Sequence, residues 1–200
     1  LNTSGGTIQN SYSSGSLRGG NRLGGLVGVN VGAVTDSYSL VSITDVAAQD
    51  LFGGLVGHNN GGSITRSYAT GVGDVQVPTN NAGSLVGFNS GSITSSYWNS
   101  ETNSIFGLSG IGAGSGVGAM GLTSTEMKTL STFVGWDIDD VGSTGKIWRI
   151  YAADSSPLLR SLLTPLNVTT VNDFVSTYDG TGQRGGNGYF AASAMSLIHI

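Results

Sequence analysis

The chain has 200 residues, of which 10% are charged and 34 are glycine, and its formal net charge is −4. Its eight Lys and Arg residues form no basic stripe, so nucleic-acid binding has little electrostatic support. The absence of cysteine excludes disulfides and cysteine metal sites, and no apolar run reaches the roughly 18 residues of a membrane-spanning helix.

A glycine-rich pattern recurs over the first half of the chain. The copies read GGLVGVNVGAVTDSY at 24–38, GGLVGHNNGGSITRSY at 53–68 and GSLVGFNSGSITSSY at 83–97, and a shorter copy, NTSGGTIQNSY, stands at 2–12. The tyrosines that close the four copies lie 26, 30 and 29 residues apart. Periods of this size indicate solenoids, propellers or other repeat arrays.

Each repeat contains three short runs of Val, Ile, Thr and Tyr between Gly and Asn, which are typical of β-strands. No run keeps a helical period. The pattern predicts an all-β fold, a right-handed parallel β-helix (β-solenoid) of about four turns, or rungs, over residues 1–120. A propeller blade, which needs four strands and about 40 residues, fits less well.

Such a coil needs only a narrow inward row of apolar side chains, and glycine permits sharp corners and close packing between rungs. Leu55, Ile64 and Val72 are predicted to fill this row in the central repeat. Two buried columns are expected, one of Leu26, Leu55 and Leu85 and one of Val34, Ile64 and Ile93. Asn30, Asn59 and Asn89 are predicted to be corner residues that tolerate left-handed backbone and stack their amides, with a ligand-binding row as the alternative.

A serine precedes the closing tyrosine in every repeat. These small, invariant serines are predicted to point inward: Ser11, Ser37, Ser67 and Ser96. The variable residues before them are predicted to point outward: Asn10, Asp36, Arg66 and Ser95. Tyr38, Tyr68 and Tyr97 are then predicted to form an outward ladder, and such a row of aromatic faces is a candidate contact site for glycans. The alternative is that the rings only cover the rungs.

The stretch from 121 to 164 differs in composition from the repeats. Thr123-x-x-Glu126 is a capping box, which predicts a short helix over 124–133, and KIWRIY at 146–151 alternates like a strand. Met127, Leu130 and Phe133 would form the apolar face of that helix. Because the end of a stack exposes unpaired edges, this helix–strand segment is predicted to cap the carboxy-terminal end of the stack.

Residues that could carry chemistry are few. His58 and His199 share no motif, and His58 stands where the sister repeats have Val29 and Phe88, which predicts a tolerant loop position. The acidic stretch DIDD at 137–140 does not fit an EF-hand and is predicted to be a solvated turn. No pair of acids recurs at equivalent positions, as a glycosidase would need. The sequence therefore predicts no enzyme, no metal site and no cofactor.

The copies of G-[GS]-L-V-G-x-N followed by S-Y resemble the GLUG-repeat family over about residues 1–98. Residues 121–162 resemble the tail that commonly follows such repeats in large filamentous-haemagglutinin-like bacterial surface adhesins. TYDGTG and GGNG, within 166–190, resemble the start of a YDG-type module, so 165–200 is expected to be a truncated, poorly ordered module.

This resemblance implies a non-enzymatic structural or adhesive segment of a secreted or surface-anchored bacterial adhesin, outside the cell. Its partners would be host or environmental glycans or surface proteins, with no nucleic acid and no membrane-spanning segment. The alternative implied by the resemblance is an accessory region of a secreted peptidase or carbohydrate-acting enzyme whose catalytic domain lies elsewhere.

Overall fold

The structure is a computed structural model that describes residues 1–19, 21–44, 51–71, 73–74, 81–102, 109–142 and 144–164. Val72 and the predicted module at 165–200 lie outside the described residues. Residues 1–162 form one unit. Its regular structure, where described, consists of strands and 3-10 turns.

Four sheets are built from strands of successive repeats, and every pairing within them is parallel. Sheet 1 contains Arg22–Gly24, Leu51–Gly53 and Ala82–Gly83. Sheet 2 contains Val27–Asn30, Val56–Asn59, Val86–Asn89 and Ile111–Gly114. Sheet 3 contains Thr7–Gln9, Ala33–Thr35, Ser63–Thr65 and Ser92–Thr94. Sheet 4 contains Tyr12–Arg18, Tyr38–Thr44, Tyr68–Ala69, Gly73–Asp74, Ser96–Asn99 and Ala119–Leu122.

The register of these sheets places equivalent residues of neighbouring repeats side by side. In sheet 3, Ile64 pairs with Val34 on one side and with Ile93 on the other. The all-β fold with parallel sheets is therefore confirmed. The strand that sheet 1 takes from each repeat was not among the three predicted runs, because it is only two or three residues long and ends in glycine.

The predicted columns form the apolar core between the sheets. Leu55, Leu85 and Ile64 are fully buried, and Leu26 is partly buried against the same cluster. Burying a Leu or Ile side chain stabilises the fold by about 1.5–3 kcal/mol. Because one or two such residues suffice in each repeat, whose in-register strands are called a rung below, a chain with this much glycine still acquires a continuous core.

The glycine two residues before each Leu-Val-Gly triplet is required because other backbone atoms approach it closely. A Cβ atom on Gly53 would lie 1.9 Å from the carbonyl oxygen of Val56 and 2.7 Å from the amide nitrogen of Gly87 in the next repeat. The equivalent Gly83 has the same conflict, at 2.1 Å from the carbonyl oxygen of Val86. Since these contacts are with backbone, no side-chain movement can relieve them.

The asparagines form a hydrogen-bonded ladder inside the stack. Asn30 Nδ2 donates to Asn59 Oδ1 at 2.8 Å, and Asn59 Nδ2 donates to Asn89 Oδ1 at 2.7 Å. Asn2 Nδ2 begins the ladder by donating to Asn30 Oδ1 at 2.7 Å. All four side chains are buried, so the predicted amide stacking is confirmed and the amides are not available to a ligand.

The left-handed corners are at a different position from the one predicted. Positive φ angles of 44–49° occur at the variable residue before each serine: Asn10, Asp36, Arg66 and Ser95. The ladder asparagines instead end the strands of sheet 2, so the prediction that they occupy left-handed corners is wrong. The ladder needs these side chains to point into the interior, and the extended backbone at the end of a strand allows that direction.

The prediction of a helix at 124–133 is wrong. Its capping box is present, with Thr123 N donating to Glu126 Oε2 at 2.8 Å and Glu126 N donating to Thr123 Oγ1 at 3.2 Å. Only two 3-10 turns follow, Glu126–Lys128 and Leu130–Thr132, because Thr129 between them is extended. β-Branched threonines favour such interruptions. A third turn is Arg160–Leu162.

The rest of this segment forms a small fifth sheet. Ile138–Asp139 pairs in parallel with Trp148–Arg149, which pairs antiparallel with Leu158–Leu159. The strand predicted at 146–151 is thus two residues long. Across the described part of the chain, no helix has the length and apolarity to cross a membrane.

The asparagine ladder can be tested with two substitutions of the same kind. Asn59→Asp removes the donor to Asn89 and places a carboxylate against three oxygen acceptors, so we expect the free energy of unfolding to fall by about 3 kcal/mol or more. Asn60→Asp adds the same charge at the exposed neighbouring side chain and should change it by no more than about 0.5 kcal/mol. Urea denaturation followed by circular dichroism measures both. Equal effects of the two substitutions would contradict the ladder's role.

Candidate functional site

The tyrosine row is the candidate site that the sequence singles out. The rings of Tyr38 and Tyr68 stack with centroids 5.0 Å apart and an interplanar angle of 4°, and Tyr12 extends the stack over Tyr38 at 5.2 Å. Tyr97 pairs in register with Tyr68 in sheet 4, and its ring packs against Trp136 at 5.7 Å. The row therefore exists, on the side of sheet 4 away from the leucine columns.

Residues 122–159 cover this row. Trp148 contacts Tyr38 and Tyr68, with ring centroids 5.9 and 6.0 Å away, while Trp136 contacts Tyr97. The exposed fractions of Tyr38, Tyr68 and Tyr97 are 5%, 1% and 6%, against 48% for Tyr12. The prediction that the three rings are exposed is wrong, because the segment expected at the end of the stack lies across its tyrosine face.

Three hydrogen bonds made by buried aromatic side chains help to fasten the covering segment to the repeats. Trp148 Nε1 donates to Asp36 Oδ1 at 3.1 Å, and Trp136 Nε1 donates to the carbonyl oxygen of Ser95 at 2.9 Å. Tyr68 Oη donates to the carbonyl oxygen of Pro157 at 2.7 Å. Buried Tyr and Trp side chains need partners for their polar atoms, and these bonds supply them across the contact.

Asp36 is the most heavily bonded side chain of the site. It accepts hydrogen bonds from Arg66 Nε at 2.8 Å, Arg66 Nη2 at 2.6 Å and Thr35 Oγ1 at 3.0 Å, in addition to Trp148. The prediction that it points into solvent is wrong, because it is fully buried under Trp148. Burial by itself raises the pKa of Asp36, but the bonds from Arg66 and Trp148 and the charge of Arg66 outweigh it and lower the pKa.

The ion pair between Asp36 and Arg66 could have been predicted from the sequence. Asp36 and Arg66 occupy equivalent positions in consecutive repeats, so a parallel register places them one strand spacing apart, about 4.8 Å. Opposite charges at that distance pair across strands. Trp148, in contrast, lies 112 residues from Asp36 and follows no repeat, so the sequence offered no register for it.

Three of the four serines are buried as predicted, whereas Ser11 in the first repeat is only partly buried. Ser37, Ser67 and Ser96 are buried. Ser67 Oγ donates to the carbonyl oxygen of Thr65 at 2.9 Å and accepts from Ser37 N at 3.2 Å, so each hydroxyl joins one rung to the next. Each of these hydroxyls therefore has its donor and one of its two acceptor positions in use for bonds within the fold.

Burial also fixes the protonation of the tyrosines. It raises the pKa of Tyr38 to about 12 and that of Tyr68 well above its ordinary value, with a further contribution from the neighbouring tyrosine in each case. Both phenols are therefore neutral at physiological pH and act as hydrogen-bonding and packing groups.

Two of the three acids in the stretch at 137–140 are paired with basic side chains. Asp137 accepts from Lys146 Nζ at 2.8 Å, and Asp139 pairs with Arg160 and also accepts from Thr144. The prediction of a solvated turn is wrong for Asp139, which belongs to the fifth sheet. Nowhere in the described ranges do three His, Cys, Asp or Glu residues come together as metal ligands would.

His58 lies in a strand and not in the predicted loop. It stands in register with Val29 and Phe88 in sheet 2, and its ring meets the edge of the Phe88 ring at 5.2 Å. Partial burial, with the positive charge of Arg22, lowers the pKa of His58. Its Nδ1 atom is buried without a hydrogen-bond partner among the described residues, so no acid or base partner orients it for catalysis.

Comparison with known proteins identifies one repeat. A family model described as the GLUG motif matches residues 51–76, which contain the LVGHN and SITRSY segments of the second full copy. No curated protein and no solved structure matches the chain significantly. The GLUG part of the resemblance is thus confirmed for this repeat.

The buried carboxylate of Asp36 should make the free energy of unfolding depend on pH in the acidic range. Because the folded-state pKa of Asp36 is lowered, its contribution is present above the unfolded pKa of about 3.9 and is lost as the pH falls through the folded pKa. At pH 7 we expect Asp36→Asn to reduce the free energy of unfolding by about 1–3 kcal/mol. The difference from wild type should shrink below about pH 4. Denaturant titrations from pH 7 to pH 2.5 measure it.

The matched control is Asp154→Asn, since the Asp154 side chain is exposed. It should leave the free energy of unfolding within about 0.5 kcal/mol of wild type. A constant difference between wild type and Asp36→Asn over the whole pH range would show that ionisation of Asp36 is not what stabilises the contact.

The hydroxyl of Tyr68 should contribute to fastening the covering segment. Tyr68→Phe removes its hydrogen bond and leaves the Pro157 carbonyl unpaired, so the free energy of unfolding should fall by about 1–2 kcal/mol. Tyr12→Phe, at the exposed end of the same row, should change it by less than about 0.5 kcal/mol. Thermal or urea unfolding distinguishes the two, and an equal loss in both variants would contradict the role of the Pro157 bond.

Proposed function

We propose that this chain is a non-enzymatic, structural segment of a secreted or surface-displayed bacterial adhesin, built as a parallel β-helix of about four rungs. The observation that carries the proposal is the use of the polar side chains. The asparagine amides, the serine hydroxyls and the Asp36 carboxylate are engaged in bonds that join rung to rung or fasten the covering segment. Amides, hydroxyls and carboxylates carry out catalysis in many enzymes, but here they form hydrogen bonds that hold the fold together.

The location outside the cell is supported by the GLUG match at residues 51–76 together with the resemblance of the repeats to surface adhesins. A stack with this interior suits a segment that must stay folded without chaperones or disulfides. The absence of cysteine from the sequence agrees with a fold held by ladders instead.

The adhesive part of the proposal concerns the outer surface. Contact between a glycan and Tyr38, Tyr68 or Tyr97 would require residues 122–159 to detach, so we propose a structural role for these three rings. Host or environmental glycans and surface proteins remain the proposed partners, and they would bind side chains that face solvent.

Two assays on the full chain test this function. The purified chain is incubated with fluorescent casein and with a panel of labelled polysaccharides, and the expected result is no product beyond that of a chain-free blank. Sustained turnover would overturn the proposal and favour the enzyme-associated alternative. The same preparation is applied to glycan and surface-protein arrays. Saturable binding that survives in Asp36→Asn supports an adhesive outer surface, whereas no binding to any array would reduce the proposal to a purely structural segment.

A further inference from the structure

The corner between sheets 2 and 3 is one residue longer in the second full repeat than in the other two. Two residues join the strands of these sheets in the first and third full copies, whereas Asn60, Gly61 and Gly62 join them in the second. A Cβ atom on Gly62 would lie 2.6 Å from the carbonyl oxygen of Gly32, so Gly62 keeps the close backbone contact of this corner. Gly61 is therefore the additional residue, and it directly follows an asparagine.

This longer corner is open to solvent. Asn60 and Gly61 are exposed, and a Cβ atom on Gly61 would meet no atom within 4 Å other than those of its chain neighbours. Asn60 N donates to the carbonyl oxygen of Asn30 at 2.8 Å, which fixes the corner to the preceding rung. In the described ranges, by contrast, no residue bonds to the side-chain amide of Asn60, and none accepts a hydrogen bond from Gly61 N. An amide carbon and a free backbone nitrogen are therefore neighbours here.

An asparagine followed by glycine can react with its own backbone. Gly61 N gives up its proton and attacks Asn60 Cγ, a C–N bond forms, and the side-chain nitrogen leaves with a proton as ammonia. Water then opens the resulting five-membered succinimide. Cleavage of the bond from Gly61 N to Cγ gives aspartate, whereas cleavage of the bond from Gly61 N to the main-chain carbonyl carbon gives isoaspartate. Glycine favours the attack because it has no Cβ atom to obstruct the approach.

Four other asparagines of the repeats are protected in one of two ways. Asn30, Asn59 and Asn89 are buried, and their amides are bonded in the ladder. Asn10 is exposed, but the nitrogen that would attack it, Ser11 N, donates to a serine hydroxyl at 3.2 Å. A bonded amide or nitrogen must first give up its hydrogen bond before it can react.

We infer that Asn60 is a site of spontaneous chemical modification, at which the folded chain converts an asparagine to aspartate and isoaspartate with water as the only co-reactant. Each conversion replaces a neutral amide by a carboxylate and so adds a negative charge. The inference concerns the chemical lifetime of the fold and goes beyond the proposed function, since it holds whether or not the chain is adhesive.

The two products differ in their effect on the corner. Aspartate leaves the main chain unchanged, whereas isoaspartate lengthens it by a methylene group. Both sides of the corner are fixed, since the carbonyl oxygen of Asn59 accepts from Ser90 N at 2.9 Å and Ser63 N donates to the carbonyl oxygen of Gly32 at 2.9 Å. The extra length must displace the ladder asparagine or the strand of sheet 3. Isoaspartate at this position therefore destabilises the stack.

The test follows the folded chain during incubation in mildly alkaline buffer. Peptide mapping by mass spectrometry should show the mass gain of deamidation at Asn60, and an isoaspartate-specific methyltransferase should label the same peptide. The rate should lie within about tenfold of that in the free peptide LFGGLVGHNNGGSITRSYAT, because no bond of the fold has to break first. The same dipeptide at 187–188 lies outside the described residues, and its peptide is scored separately.

The matched control is Ser90→Gly, which places an asparagine–glycine dipeptide at the equivalent corner of the third copy, where Asn89 is buried. Circular dichroism checks that this variant is folded. Its Asn89 should gain mass at least about tenfold more slowly than Asn60, because the amide must first leave the ladder.

The structural consequence is measured by urea denaturation. After the same incubation, wild type should unfold at a lower urea concentration than Asn60→Ser, which cannot form isoaspartate at this position. Fresh Asn60→Asp should match fresh wild type, because aspartate leaves the main chain unchanged.

Three results would overturn the modification site. They are an absence of mass gain at Asn60, a gain more than about tenfold slower than in the free peptide, and equal rates at Asn60 and at Asn89 of Ser90→Gly. Equal urea midpoints of incubated wild type and incubated Asn60→Ser would overturn the destabilisation by isoaspartate.

Discussion

The constraint on which the structure depends is that one asparagine amide per rung is buried and must find its donor and acceptor in the neighbouring rungs. Asn59 meets this requirement with Asn30 on one side and Asn89 on the other. A shift of one residue in any rung would leave a buried amide unpaired, at a cost of about 1–3 kcal/mol. The ladder therefore holds the register, and the register in turn aligns the isoleucine column, the serine hydroxyls and the tyrosine rings.

The same alignment determines what the polar side chains of the described repeats bond to. Groups that repeat at equivalent positions meet only their own kind along the stack, as the asparagines, serines and tyrosines do. Asp36 and Arg66 are an exception, and they neutralise each other. A stack of near-identical rungs thus favours ladders over mixed constellations of acid, base and nucleophile, which agrees with a structural role.

The features that the sequence predicted correctly lie in the repeats, where equivalent residues could be aligned. The features that it missed lie in the segment after the repeats, which offers no such alignment. The copies aligned Leu55 with Leu85 and Ile64 with Ile93, and from these alignments came the parallel register, the buried columns and the amide ladder. The position of residues 122–159 depends on contacts such as Trp148 with Asp36, which no periodicity encodes. For that reason the stacking of Tyr38 on Tyr68 was predicted correctly, whereas the exposure of the tyrosine row was predicted wrongly. The helix predicted at 124–133 does not form for a local reason, because Thr129 is extended between two short turns.

The covering segment has a consequence for how the stack would come apart. In a linear array each unit contacts only its neighbours, and unfolding can begin at an end and proceed unit by unit. Trp148 contacts Tyr38 and Tyr68, and Trp136 contacts Tyr68 and Tyr97, so one short segment is bound to three consecutive rungs at once. Fraying of any of these rungs must break contacts shared with the other two. We therefore expect these three repeats to unfold together, so that a protease would cleave them only after all of them have opened.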